Sequence, residues 1–201
     1  MRTLYLLRHG RPAGDGVSRC LGGRSDPPLS AEGAAECAAL AEALGNRGIR
    51  AVGSSPLLRC RQTAQLRFPA AAITPLPGLA ELDCGDWDGL PFSEIQARWP
   101  EHYARRGANP ALPPPGGETL DRAAARARAA ICAFLAATEG DVALIGHSGV
   151  NRALLCALTG TPYARYRDFP QPYLCINLLR WDGVSLTADG VKEEICHEKP
   201  V

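Results

Sequence analysis

Two histidines stand directly after short apolar runs of the sequence. His9 follows LYLLR, so that Arg8 precedes it, and His147 follows VALIG. A neutral imidazole is a nucleophile at pH 7, and a neighbouring guanidinium offers a fork of N–H donors to an oxyanion. Parallel strands deliver the residues after their carboxyl ends into the crevice where α/β proteins bind ligands. We therefore expect both histidines to share one crevice, where a strand-end side chain such as His9 would carry little packing.

Two further segments carry charge at similar positions. SSPLLRCRQTA follows an apolar run, with Ser55 as the predicted helix cap and with Arg59 and Arg61 in the first two turns, one facing the crevice and the other facing water. LAELDCGDWDGL holds four acids: Glu81, Asp83, Asp86 and Asp88. A carboxyl group near a phosphate can act as a general acid. Such a dense group of acids is equally typical of a solvated loop, so position alone does not select Glu81.

The order of apolar runs and amphipathic segments predicts the scaffold. Strands are predicted at 4–7, 49–52, 73–76 and 142–145, with a closing hairpin over 175–186. Helices are predicted from Ser30 to Leu44, from Ser55, over 120–135 and over 149–158. This alternation is typical of a three-layer α/β/α domain with a mostly parallel sheet and helices on both faces. The run at 142–145 is so apolar that we expect a central strand.

Residues 84–118 do not fit the alternation. They contain Trp87, Trp99, Tyr103 and the run ALPPPGGE, which is too irregular for a standard crossover. We interpret them as a short cap insertion with one or two short helices, inside a single domain that spans residues 1–201. Long loops in compact domains are usually functional, so a lid over the site is one interpretation and a surface excursion is the other.

Composition argues against several classes of protein. With 22 basic and 21 acidic residues the net charge is +1. A protein that binds mainly nucleic acid or an anionic membrane is expected to have a large basic excess, which this chain lacks. The eight cysteines form no C-x-x-C pair and no zinc-type spacing. No run approaches the roughly 18 apolar residues of a membrane span, and the N-terminal run is too short for a signal peptide. We expect a soluble, cytoplasmic protein.

Taken together, the motifs resemble those of the histidine phosphatase superfamily, in its phosphoglycerate mutase-like branch. The resemblance rests on RHG, on GRSDPPLSAEG, which begins at Gly23, on S-x-L-x-R-x-x-Q-T-A, on E-L-D-x-G-D-W-D-G and on GHSG. These elements run in family order from Arg8 to about Leu158. The length of the chain and its PGGET segment look more like the small phosphatases of the α-ribazole phosphatase kind than like the longer cofactor-dependent mutases.

The resemblance implies a metal-independent phosphomonoester phosphatase that acts on a small phosphorylated metabolite through a phosphohistidine and needs no cofactor. It implies His9 as nucleophile, Glu81 as proton donor, His147 as a further catalytic residue, and Arg8, Arg59, Gly23 and Ser148 as substrate-binding residues. Many members carry an Asn shortly after RHG, whereas this chain has Arg11 and Pro12; either Arg11 or a backbone N–H replaces that donor. The alternatives are a phosphoglycerate mutase-type phosphotransferase and a non-catalytic, phosphate-binding pseudoenzyme.

Overall fold

A six-stranded sheet organises the chain in the computed structural model, which describes residues 1–14, 18–44 and 47–188. Its strands are β1 (Arg2–Arg8), β2 (Ile49–Ser54), β3 (Ile73–Pro75), β4 (Asp141–Gly146), β5 (Ile176–Trp181) and β6 (Leu186–Ala188). In the order β3-β2-β4-β1-β5-β6, the first four strands are parallel, and β5 and β6 form the antiparallel hairpin. The mostly parallel sheet is confirmed, with β4 between β2 and β1. The predicted domain extends to residue 201, and its last segment, 189–201, lies outside the described residues.

The helices follow the predicted order, with two differences at their ends. They are α1 (Ala31–Ala39), α2 (Leu58–Arg67), α3 (Phe92–Arg98), α4 (Pro100–Ala108), α5 (Leu120–Ala136) and α6 (Ser148–Thr159). Ser30 caps α1 as expected, but the helix predicted to reach Leu44 ends early and continues as a 3-10 turn, Ala41–Leu44. The prediction that Ser55 caps α2 is wrong, because the helix begins at Leu58 with Leu57 at its N-cap position. Ser55 lies two residues earlier, where its hydroxyl contacts His147 and accepts the Leu57 N–H, and Asp26 accepts the Leu58 N–H.

Alternate residues of the central strands face two separate cores, because successive side chains of a strand point to opposite faces. On one face, Leu4 and Leu6 of β1 pack with buried side chains of α5 and α6. On the other face, Tyr5 and Leu7 pack with α2 through Cys60. Helices therefore cover both faces, which confirms the three-layer α/β/α architecture.

The segment between β3 and α5 contains the two short helices expected there, α3 and α4, and a 3-10 turn at Gly85–Trp87. It is closed at its base where the Glu118 N–H donates to the Asp83 carbonyl over 2.8 Å. Trp87 is buried in a cluster that includes Leu120 of α5, so the segment packs onto the domain through an apolar contact.

None of the helices in the described part of the chain is both long enough and apolar enough to span a bilayer.

Candidate active site

The two strand-end histidines meet, as the sequence predicts. β1 and β4 are paired in parallel with Arg8 opposite Gly146, so the next residue of each strand leaves the sheet at the same level. The ring centroids of His9 and His147 lie 5.0 Å apart with an interplanar angle of 62°. Because β1 and β4 are central strands, the rings are enclosed rather than presented at the rim of the sheet.

The tautomer of neutral His9 is selected by its own neighbour, Gly10. Its Nδ1 lies 2.7 Å from the Gly10 carbonyl oxygen. A carbonyl only accepts hydrogen bonds, so Nδ1 carries a proton, and in the neutral ring Nε2 keeps its lone pair. Burial, followed by the charges of Arg59 and Arg8, holds the pKa of His9 well below 6.5. His9 is therefore neutral and nucleophilic at pH 7.

The expectation that His9 carries little packing is wrong. The residue is only 4 % exposed, and its ring also lies 5.7 Å from the ring of Tyr173, centroid to centroid. The cause is the segment before β5, which returns over the end of β1. Sequence analysis singled out neither Tyr173 nor any other residue of that segment.

His147 occupies the N-cap position of α6 and is fully buried. Its Nε2 lies 2.7 Å from the Ser55 hydroxyl and 3.3 Å from the Cys60 sulfur. Burial, followed by the neighbouring His9 and Arg59, holds the pKa of His147 well below 6.5. Two neutral imidazoles thus stand side by side in a region whose fixed positive charge comes from arginines.

Arg59 and Arg61 separate as the sequence predicts. Positions two apart on a helix point about 200° apart, so only one of them can face the sheet edge. Arg59 is 1 % exposed, and Arg61 is exposed. The Arg59 guanidinium donates to the carbonyls of Ser25 (2.8 Å) and Gly22 (3.3 Å), which fixes its plane.

Both arginines of the crevice keep a donor unused. Arg8 donates to the Gln171 carbonyl and stacks 3.9 Å from the centroid of Tyr173. The buried Nε atoms of Arg8 and Arg59 have no hydrogen-bond partner in the described part of the chain. A buried donor without an acceptor is costly, and such an orphan usually marks a missing ligand oxygen or water. An anionic oxygen is one acceptor that would satisfy these two donors.

Glu81 is the acid that reaches this crevice. Its Oε1 accepts hydrogen bonds from the backbone N–H groups of Leu82 (2.8 Å) and Val150 (2.9 Å), and its Oε2 accepts one from Gly149 (2.9 Å). The last two belong to the first turn of α6, where unpaired N–H groups and the helix dipole favour negative charge. Glu81 therefore lies against the helix that His147 caps.

Of the three neighbouring aspartates, two are engaged elsewhere and one is exposed. Asp83 forms a 2.9 Å ion pair with Arg24, and Asp86 is exposed. Asp88 accepts the N–H of Gly22 and a hydrogen bond from the Ser25 hydroxyl. Of the four acids, Glu81 is the one whose carboxylate contacts the first turn of α6 in the described part of the chain.

Ser148 and Gly23 border the same crevice in different ways. Ser148 is the first residue of α6, and its hydroxyl accepts a hydrogen bond from Arg152 over 2.6 Å. The Gly23 N–H donates to the Leu82 carbonyl over 2.9 Å, and a Cβ at this position would lie 2.8 Å from the Glu81 carbonyl oxygen. Gly23 therefore permits close packing behind Glu81, with its own N–H already occupied.

Acidification from pH 7.5 to 5.5 is expected to lower the free energy of unfolding. The unfolded chain protonates His9 and His147 near pH 6.5, whereas the folded chain holds both pKa values well below that. Below about pH 6.5 the unfolded state thus binds more protons, and stability falls by at most about 1.4 kcal/mol per pH unit for each histidine. Urea unfolding across this pH range measures the unfolding free energy, which should fall less steeply with acidification in His9→Asn than in the unmodified protein. Identical slopes for the two proteins would contradict a lowered pKa for His9.

Known proteins with a similar sequence or structure include phosphatases and phosphoglycerate mutases. Over residues 4–193 the chain matches the histidine phosphatase superfamily (branch 1). It is 37 % identical over 145 residues to a bifunctional protein of Mycobacterium tuberculosis. The matching region makes up 71 % of this chain and 40 % of that protein. The chain thus spans about two-fifths of the length of the first curated relatives that it matches.

Two other relatives match over most of their length. The chain is 33 % identical over 176 residues to the glucosyl-3-phosphoglycerate phosphatase of M. tuberculosis, covering 82 % of this chain and 78 % of the relative. The solved structure of the mycobacterial glucosyl-3-phosphoglycerate phosphatase superposes with a TM-score of 0.82 at 28 % identity, over 94 % of this chain and 97 % of that one. A 2,3-bisphosphoglycerate-dependent phosphoglycerate mutase of Methylobacterium radiotolerans is 32 % identical over 180 residues, 83 % of this chain and 84 % of the mutase.

The resemblance seen in the motifs is thereby confirmed. The family match covers nearly the whole chain, and the two histidine motifs of the sequence lie together at the ends of paired central strands. This chain belongs to the histidine phosphatase superfamily, branch 1.

Proposed function

We propose that the protein is a metal-independent phosphomonoester phosphatase that acts on a small phosphorylated metabolite through a phosphohistidine at His9. One observation carries the proposal: a buried neutral imidazole, proton-bearing at Nδ1, stands beside two arginines whose buried Nε donors lack an acceptor. A nucleophile next to unfilled oxyanion donors is the arrangement that phosphoryl transfer needs.

In the first step, Nε2 of His9 forms a bond to phosphorus while the bond from phosphorus to the leaving oxygen breaks. Glu81 gives its proton to that oxygen. In the second step, Glu81 takes a proton from a water molecule as the water attacks phosphorus, and the electron pair of the breaking P–N bond returns to Nε2. A protonated carboxyl group still accepts hydrogen bonds, so the N–H groups of Gly149 and Val150 orient Glu81 through both steps.

The non-bridging oxygens are held by fixed donors. Arg8 and Arg59 supply guanidinium N–H groups, and the start of α6 supplies the backbone N–H of Ser148 and the positive end of the helix dipole. His147 completes the set from the same end of the neighbouring strand, β4. Gly23 contributes the close packing that keeps Glu81 against α6.

The leaving group lies on the side of Glu81. Glu81 lines a cavity of about 440 Å³ whose charged walls also include Arg24, Asp83, Glu118, Arg122 and Arg126. Charged walls of both signs suit a polar, hydroxyl-bearing leaving group better than an apolar one. The similar phosphatase and the similar mutase are both named for small phosphorylated compounds, phosphoglycerate or its glucosyl derivative.

Phosphate release from a panel of sugar phosphates, phosphoglycerates, nucleotides and nucleoside-like phosphates tests the proposal. Hydrolysis of at least one small metabolite with a kcat/KM well above that for p-nitrophenyl phosphate supports it. The mutase alternative is supported by the 32 % identity to a phosphoglycerate mutase. The same reactions, run with a second, unphosphorylated acceptor, distinguish it from the phosphatase. Transfer to the acceptor in place of free phosphate would establish the mutase, and binding without turnover would establish the pseudoenzyme.

The two arginines of α2 give a matched pair of variants. Arg59→Ala is expected to lower kcat/KM by about 10²-fold, the usual effect of removing one preorganised oxyanion donor. Arg61→Ala, two residues away and exposed, should change kcat/KM less than threefold. Steady-state kinetics of both variants on one substrate provides the comparison. Equal losses would mean that the other face of α2 lines the site.

A further inference from the structure

Arg126 of α5 lines the cavity assigned to the leaving group, yet all of its donors are engaged within the protein. Its Nε donates to Glu118 Oε1 (2.7 Å), and its Nη1 donates to the carbonyls of Gly78 (2.7 Å) and Ala80 (2.8 Å). Its Nη2 donates to the Glu81 carbonyl (3.2 Å) and to Glu118 Oε2 (2.8 Å). A guanidinium has five N–H groups, and here each of them has an acceptor.

Three of these acceptors belong to the backbone that leads into Glu81. The carbonyls of residues 78, 80 and 81 converge on one guanidinium, whose planar fork has a fixed geometry. A rotation of the backbone at Glu81 would break several of these hydrogen bonds together. Arg126 thus fixes the main chain from which the Glu81 side chain extends.

Glu118 fixes the same segment on its other side. Its backbone N–H donates to the Asp83 carbonyl (2.8 Å), and its carboxylate receives the Asp83 N–H at 3.4 Å. The carboxylate is at the same time paired with Arg126, with side-chain exposures of 15 % and 27 %. The ion pairs Arg24–Asp83, Arg98–Glu94 and Arg165–Asp168 are 42 % to 69 % exposed at both ends, so the Arg126–Glu118 pair is the least solvated of these four.

We infer that Arg126 is a positioning residue for the proton donor, holding the backbone of Glu81 so that its carboxyl group meets the leaving oxygen. The inference rests on the proposed role of Glu81. The carboxylate is bound by α6 on one side, and its backbone is bound by the Arg126–Glu118 pair on the other. Displacing a catalytic group by about 1 Å can cost about 10²-fold in rate, so a fixed main chain matters here.

Arg126→Lys tests the inference, because lysine keeps the charge but has three donors and no planar fork. The variant should slow an alkyl phosphate by about 10- to 10²-fold and p-nitrophenyl phosphate less than threefold, since a displaced acid matters only for a poor leaving group. Arg128→Lys is the matched control, an exposed arginine on the same helix. Both rates are measured in a single turnover, and folding is checked by thermal unfolding.

A double-mutant cycle with Glu81→Gln separates positioning from a purely structural role. Once the acid is gone, Arg126→Lys should cause little further loss on the alkyl phosphate. Equal losses on both substrates, or losses that multiply in the double variant, would overturn the inference while leaving Glu81 in place. If Glu81→Gln alone shows no leaving-group dependence, the proposed acid fails and the inference fails with it. Should Arg126→Lys not fold, Glu118→Gln loosens the same backbone and is judged by the same two criteria.

Discussion

Replacing His9 with asparagine is expected to lower kcat by about 10⁴-fold or more, since loss of a covalent nucleophile removes the whole two-step route. Asparagine is the better substitute, because the side chain is buried and alanine would leave a void between the rings of His147 and Tyr173. Its amide NH₂ can also still donate to the Gly10 carbonyl. The unfolding free energy should therefore change by only about 1–2 kcal/mol.

Substrate binding provides the control for this variant. Because Arg8 and Arg59 are untouched, His9→Asn should still bind inorganic phosphate or a substrate, measured by calorimetry or by protection against thermal unfolding. Turnover within tenfold of the unmodified protein would remove His9 as nucleophile. Loss of both binding and turnover would instead show that the substitution disturbed the arginines.

Glu81→Gln is expected to slow an alkyl phosphate by about 10²- to 10⁴-fold, the usual range for a positioned acid. Glutamine preserves size and shape but has no carboxylic proton to give. For p-nitrophenyl phosphate the loss should be much smaller, since that phenolate departs without protonation. The comparison is made on formation of the phosphoenzyme in a single turnover, because Glu81 also assists the later hydrolysis and steady-state rates would mix the two steps.

Asp86→Asn is the matched control for this pair of substrates. Asp86 belongs to the same acidic segment but is exposed, so its variant should treat both substrates alike. Equal slowing of both substrates in Glu81→Gln would make Glu81 an orienting residue and require another proton donor.

Local sequence signals are sufficient for the strands that carry the histidines. Residues 4–7 and 142–145 are apolar at every position because both faces of β1 and β4 are covered, and that burial is visible in the sequence. The Ser30 cap is also predictable from a local signal, since its hydrogen bond joins residues only three apart. The separation of Arg59 from Arg61 follows from helical geometry alone.

Tertiary contacts explain what the sequence could not predict. Ser55 looks like a helix cap, yet its hydroxyl is bound to His147 across the sheet edge, 92 positions away in sequence. Tyr173 stacks on Arg8 from a segment without any local motif. Arg126 lies in an alanine- and arginine-rich helix, where it resembles a solvated side chain, and only the folded chain brings it to the carbonyls before Glu81.

The most direct test of the account is chemical trapping of the phosphoenzyme. The protein is mixed with a substrate labelled in its phosphoryl group and denatured within milliseconds in alkali, because phosphohistidine is stable to base and labile to acid. Up to one phosphoryl group per chain, located by peptide mapping at His9 and absent from His9→Asn, is the expected result. Multiple turnovers without any trapped phosphoryl group, or label on His147 that persists in His9→Asn, would contradict a phosphohistidine at His9.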